Sequence, residues 1–254
     1  MSRKLLIILG VIAVLAGIGT YIYLRWNEAQ KKVNLWTLVP QDAVLIWESN
    51  DNNAFFDHLQ TTDIWETISQ ARYVQQLQEN LAVIDSTSGQ SQTLGTFLKN
   101  KPVLASLHVV NNNDFDLVFY VPVNNVNEHR FMRNLLDNLE KSDRFTFDHR
   151  TYQGHLITDV KNNITGKDLS FFSYRNNFVL SSSPNLIEEI IRNIERDLLE
   201  SPAGELAGTG YTSQPDVWAN VWVNYRQVPV FLSLFLTEKL HNDLSFLFSL
   251  CRSG

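Results

Sequence analysis

Six histidines, His58, His108, His129, His149, His155 and His241, are the side chains best suited to acid–base or metal chemistry. No two of them stand four apart around a glutamate, the spacing that puts two imidazoles on one face of a zinc-protease helix. His149 and His155 are the best-placed pair, because a turn at Tyr152 brings them across a hairpin with Asp148 or Asp159 nearby. Against that stands the plainer reading of sheet-edge histidines that only hydrogen-bond. Asp42, Glu48, Asp51 and Asp57 crowd one strand and its turn; carboxylates sharing a cleft do acid–base work, whereas turn carboxylates are usually solvated. Ser181-Ser182-Ser183 lacks the glycines of a nucleophile elbow, and Pro184 behind it fits a helix start with Ser183 as N-cap.

The other motifs are weaker. Gly204, Gly208 and Gly210 lie in a polar loop without the Lys-Ser or Lys-Thr pair of a phosphate loop. Trp36, Trp47, Trp65, Trp218 and Trp222 would form a carbohydrate platform if they were exposed together, but large aromatics are more often core. Asn163-Ile164-Thr165 matches a glycosylation acceptor, which matters only in a eukaryotic secretory setting. No residue set is therefore assigned as catalytic, cofactor-binding or metal-binding, and no cofactor is expected.

The elements that must carry these residues follow from hydrophobic periodicity. Ala43 to Trp47 reads as a strand closed by a polar turn, and Ile64, Ile68, Ala71, Leu77, Leu81 and Ile84 predict one long helix over 63–84. Val103 to Val110 and Phe115 to Val123 predict a hairpin around Asn111 to Asp114. A helix over 126–141 precedes strands at 145–149 and 155–160, turned by Tyr152-Gln153-Gly154, and strands at 169–174 and 178–182, turned by Arg175-Asn176-Asn177. The best-marked helix start is Ser183-Pro184, with Glu188 and Glu189 placed near the positive end of its dipole. A strand at 217–225 and a helical stretch opened by Pro229 complete the series. Eight strands rich in hairpins with four helices predict an α+β fold, with helices on one face of a largely antiparallel sheet.

Charge and hydropathy then divide the chain. Leu5 to Leu24 is free of charge and, as a helix, spans about 30 Å, the thickness of a bilayer core. Tyr21, Tyr23 and Trp26 cluster at its far end, at headgroup level, and the small-residue pairs Ala13/Gly17 and Ala16/Thr20 offer a surface on which two anchors pack as a homo-oligomer. The run ends without the small residues of a signal-peptidase site, which predicts an uncleaved anchor. Residues 1–4 are a basic tail, 5–24 the transmembrane helix, 25–37 a juxtamembrane linker and 38–254 an extracytoplasmic domain. Arg3, Lys4, Arg25, Lys31 and Lys32 against Glu28 give residues 1–34 a charge of +4, so the rest carries −10 of the total −6. Such a domain repels phosphate backbones, which argues against nucleic acid as a partner. The single cysteine, Cys251, excludes an intramolecular disulfide.

Several segments then carry a likeness: Leu38-Val39-Pro40-Gln41-Asp42-Ala43-Val44, Tyr152-Gln153-Gly154-His155-Leu156-Ile157, Phe178-Val179-Leu180-Ser181-Ser182-Ser183 and Trp222-Val223-Asn224-Tyr225. With the anchor, their wording resembles a family of bacterial membrane-anchored proteins known best from the Bacteroidetes. The family has no established reaction, so the resemblance implies topology and location only. Its members are longer, and the apolar run over 230–250 needs cover, so the chain reads as an N-terminal fragment of such a protein. The expected function is that of a single-pass inner-membrane protein whose extracytoplasmic domain binds or scaffolds an envelope partner without catalysis. The alternatives are an extracytoplasmic hydrolase with dispersed acid and base, or a carrier of lipid or another hydrophobic ligand.

Overall fold

The computed structural model describes residues 33–49, 51–70, 72–88, 92–99, 101–111, 114–166, 168–196, 214 and 217–235. The expected membrane segment 5–24, the glycines of the 201–213 stretch, His241 and Cys251 lie outside the described residues. Among the described residues no helix is long and apolar enough to cross a membrane. The described residues from Asn34 to Phe235 belong to one compact unit.

Eight strands, β1 (Leu45–Ser49), β2 (Val103–Asn111), β3 (Asp114–Pro122), β4 (Phe145–Tyr152), β5 (His155–Asn162), β6 (Asp168–Tyr174), β7 (Asn177–Ser181) and β8 (Ala219–Val223), make a single sheet. Their order is β4-β5-β6-β7-β3-β2-β1-β8, and every neighbouring pair is antiparallel. The α+β class and the antiparallel sheet are thus as the periodicity predicts. Two hairpins turn at the expected places for a definable reason. Gln153 and Gly154 have φ of 45° and 83°, and Arg175 and Asn176 have 43° and 61°. Two successive positive φ values make the two-residue turn whose twist matches that of the strands.

Helices cover both faces of the sheet, which corrects the one-face expectation. The cause is the centre of the sheet, where β2 is buried without interruption over Val103 to Ser106 and the end of β3 over Tyr120 to Val123. Strands apolar on both sides need cover on both. On one face, α4 (Leu94–Leu98) and α5 (Val126–Glu140) bring Phe97, Phe131, Leu135 and Leu139 onto Val103, Val121 and Phe119. Phe97 stacks on Phe131 with ring centres 4.5 Å apart. On the other face, α6 (Pro184–Glu195) lies against β6 and β7 and buries Leu186, Ile187, Ile190, Ile191 and Ile194. Burial of each contributes about 2 kcal/mol.

The single helix expected over 63–84 is two, α2 (Asp63–Ile68) and α3 (Arg72–Ser88). Ser69 ends the first: its Oγ donates to the Glu66 carbonyl at 3.3 Å, a local bond that competes with helix continuation. A further helix, α1 (Asn52–Leu59), begins within the segment expected to be a turn, where Asp51 Oδ1 accepts the Ala54 N–H at 3.0 Å. At the other end, α7 (Val228–Ser233) starts one residue before the expected Pro229, which lies in its first turn, and Phe231 and Phe235 meet Phe115 of β3 with ring centres 5.4 and 5.9 Å apart.

Candidate functional site

The face covered by α6 is apolar at its centre but carries a row of polar side chains, and the antiparallel register explains the row. Cross-strand partners share a face, so the pairs Ile46 with Ser106, Ser106 with Val118, His108 with Asp116 and Val118 with Ser181 set Ser106, His108, Asp116 and Ser181 on one side. Each of the four is at least nine-tenths buried. Buried polar groups require partners, and these have them. Asp116 accepts Ser181 Oγ at 2.8 Å, Ser182 Oγ at 2.7 Å and the Leu117 N–H at 2.8 Å.

His108 is the centre of the second group. Its Nδ1 lies 3.0 Å from Asp42 Oδ1 and its Nε2 lies 2.8 Å from Ser106 Oγ, and the Tyr120 hydroxyl is 3.4 Å from that Oγ. Donors and acceptors match when Tyr120 donates to Ser106, Ser106 to Nε2, and Nδ1–H to the Asp42 carboxylate. Burial pushes the Tyr120 phenol well above its ordinary value; the Ser106 hydrogen bond opposes this, and the charges of Asp42 and Glu189 add to it. The distances are those of a Ser-His-Asp hydrolase triad. Accessibility is not: Ser106 is 0% exposed and the His108 side chain 0%, whereas the Asp42 side chain is 46% exposed.

Asp42 is the one member of this chain that reaches open space. It lines a cleft of about 300 Å³ between the Pro40–Asp42 turn and Glu189, Arg192, Asn193 and Arg196 of α6 and its C-cap. Those four stand at i, i+3, i+4 and i+7, one face of a helix. Arg192 is braced by the Tyr152 hydroxyl, to which its Nη1 donates at 3.0 Å, and Asn193 Nδ2 donates to the Thr37 carbonyl at 3.5 Å. Beside the cleft, Arg150 holds Asp159 at 2.6 Å and Glu188 at 2.5 Å, tying α6 to the sheet. Desolvation lowers the basicity of Arg150, but hydrogen bonds to Asp159 and Glu188 outweigh it and raise its pKa. The arrangement orients a carboxylate and presents charges and amides to a polar ligand; it has no nucleophile facing the cleft among the described residues.

Several residues singled out by type fall elsewhere. His149 pairs with Thr158 and His155 with Tyr152, and since 158 and 155 differ by an odd number, the two imidazoles point to opposite faces. His149 Nδ1 is 3.1 Å from Thr158 Oγ1, and His155 Nε2 is 3.0 Å from Glu195 Oε1. The hairpin therefore does not bring them together. Among the described residues no three His, Cys, Asp or Glu side chains cluster as a metal set. Of the four carboxylates near β1, only Asp42 lines the cleft; its partner there is Glu189.

Ser183 is the N-cap residue and Pro184 opens the helix, as expected, but the Ser183 side chain makes no capping bond. Glu188 and Glu189 lie beyond the first turn, on Arg150 and in the cleft. The tryptophans share no platform: Trp36 is buried, Trp47 packs on Phe55 at 5.0 Å, and Trp218 lies on His58 at 4.1 Å. Asn163 sits in an exposed turn with its amide already donating to the Asp143 carbonyl. Geometry thus defines an α+β protein with a sealed polar relay that ends in a charged cleft. No family model, curated protein or solved structure matches the chain.

Proposed function

We propose that this chain is a single-pass membrane protein, anchored through residues 5–24, whose extracytoplasmic domain is a non-enzymatic binding module of a bacterial envelope. Placement rests on the uncharged twenty-residue run and the basic residues at its ends. The absence of catalysis rests on one observation, the complete burial of Ser106 beside an open cleft that offers charges and amides instead of a nucleophile. Cross-linking in intact envelopes followed by capture of the full chain is expected to enrich one specific protein partner. Recovery of the chain alone, or of a self-linked dimer alone, counts against the module.

The second reading is an extracytoplasmic hydrolase, and the Ser106, His108 and Asp42 distances favour it. A fluorophosphonate probe separates the two. An active serine is labelled rapidly and labelling is lost in Ser106→Ala, whereas a sealed serine stays unlabelled in the folded protein, and unfolding, which removes its base, does not restore labelling.

A further inference from the structure

The cleft between the Pro40–Asp42 turn and α6 is distinguished by the arrangement of its charges. Carboxylates come from Asp42 and Glu189, guanidinium groups from Arg192 and Arg196, and amides from Gln41 and Asn193. A ligand of one sign of charge would meet a like charge on one wall, with a cost that grows as water is excluded. A ligand carrying both signs finds an opposite charge for each of its groups among these side chains. Its volume, about 300 Å³, is at the small end of ligand sites and equals roughly ten waters, room for an amino acid or a dipeptide.

Two further features give the walls fixed positions. Asp42 is held from behind by His108 Nδ1 at 3.0 Å, and His108 is itself held by Ser106 at 2.8 Å, so the carboxylate is oriented before any ligand arrives. Arg192 is held by the Tyr152 hydroxyl. Such preorganisation reduces the ordering cost of binding.

We infer that this cleft binds a small zwitterion, a free α-amino acid or short peptide, with its ammonium on Asp42 and its carboxylate on the Arg192 and Arg196 side. The inference rests on the reading of the domain as a binding module and supplies its ligand class. His108 is a positioning residue in it, acting through Asp42.

The test is calorimetric titration of the full chain in detergent micelles with L-alanine and L-alanyl-L-alanine, each against N-acetyl-L-alanine, which lacks the ammonium, and L-alaninamide, which lacks the carboxylate. Both zwitterions are expected to bind, and each blocked analogue to bind about tenfold or more weakly, the loss of one charge-assisted hydrogen bond. Asp42→Asn is expected to weaken both zwitterions but to strengthen anionic N-acetyl-L-alanine, which it no longer repels, and Arg196→Gln to weaken both zwitterions but to strengthen cationic L-alaninamide. Arg133→Gln, on exposed α5 surface, leaves all four unchanged. Circular dichroism checks that each variant is folded, and the exposed Arg196 supplies a result even if Asp42→Asn is unstable. Equal affinity for parents and blocked analogues overturns the inference, as does no heat from either zwitterion at about 10 mM. If that silence accompanies intact partner capture, the zwitterion site alone is lost; if capture fails too, the module reading falls with it.

Discussion

Tyr120, Ser106, His108 and Asp42 form a donor sequence running from the buried sheet to the cleft, and its middle has no water to fall back on. Ser106→Ala removes the acceptor of Tyr120 and the partner of His108 Nε2 together, leaving two buried polar groups unpaired. A loss of about 1 to 3 kcal/mol in urea unfolding is expected; an unchanged midpoint would mean that the relay carries no stability. A second buried charge behaves differently with pH. Lys101, 8% exposed, places its Nζ 2.5 Å from Glu128 Oε2 and 3.0 Å from the Pro122 carbonyl. Burial raises the Glu128 pKa, but Lys101, the Asn124 N–H and Asn125 outweigh it and leave the carboxyl below its ordinary value. Because the folded pKa is depressed, the associated stability is present above the unfolded value of about 4.3 and is lost as pH falls through the folded one. Glu128→Gln should therefore be less stable than wild type at pH above that value, with the gap closing in acid; a gap that persists there would assign it to packing. Of these groups the sequence singles out His108 and Asp42 by residue type, in separate sets, and passes over Ser106 within its apolar strand. Asp42 stands 66 positions from His108. A partner at that distance is supplied by sheet register, which no local spacing encodes.

Caps separate elements whose starts look alike in the sequence. Asn125 and Glu128 form a reciprocal cap at the start of α5: Asn125 Oδ1 accepts the Glu128 N–H at 3.0 Å, and Glu128 accepts the Asn124 N–H at 2.7 Å. At the start of α6, Ser183 has the favoured residue type but makes no side-chain cap bond, and its own N–H donates to Ser181 Oγ at 3.1 Å. Asn125→Ala is accordingly expected to cost about 1 kcal/mol and Ser183→Ala a few tenths, measured as shifts in urea midpoint. Equal losses would show that both helices depend on a cap oxygen. The contrast also marks how far elements were legible. The hairpins, α5 and α6 follow from period and turn residues because those signals are local. Helix α1 was hidden by Asn52 and Asn53, residues that suit a turn as well as a helix start; Asn52 instead donates to the Leu98 and Lys101 carbonyls at 2.8 and 2.9 Å. The break at Ser69 was hidden because apolar spacing continues across it. Which face each helix covers depends on both sides of the central strands, and a single helix pattern carries no such information.

At the scale of the molecule the charge is segregated, +4 over residues 1–34 and −10 over the remainder. An anionic bilayer attracts the first and repels the second, so two modes of attachment are open to a chain of this charge: a basic segment lying on the surface, or an apolar helix inserted in the core. They differ in what releases the protein. Surface attraction is screened within about 8 Å at physiological salt and vanishes when salt is raised. Insertion draws on the twelve Leu, Ile and Val residues of the segment, each worth roughly 0.3 to 0.6 kcal/mol at the membrane centre, and salt leaves that term intact. The full chain is therefore expected to remain in the membrane pellet after washes in high salt and in alkaline carbonate, while a form beginning at Val33 stays in the supernatant. Release by salt alone would identify a peripheral protein held by Arg25, Lys31 and Lys32, and the cleft would then serve a domain that leaves the membrane. Protease added outside spheroplasts completes the argument, because a domain exported past the bilayer is digested there and a cytoplasmic one is protected.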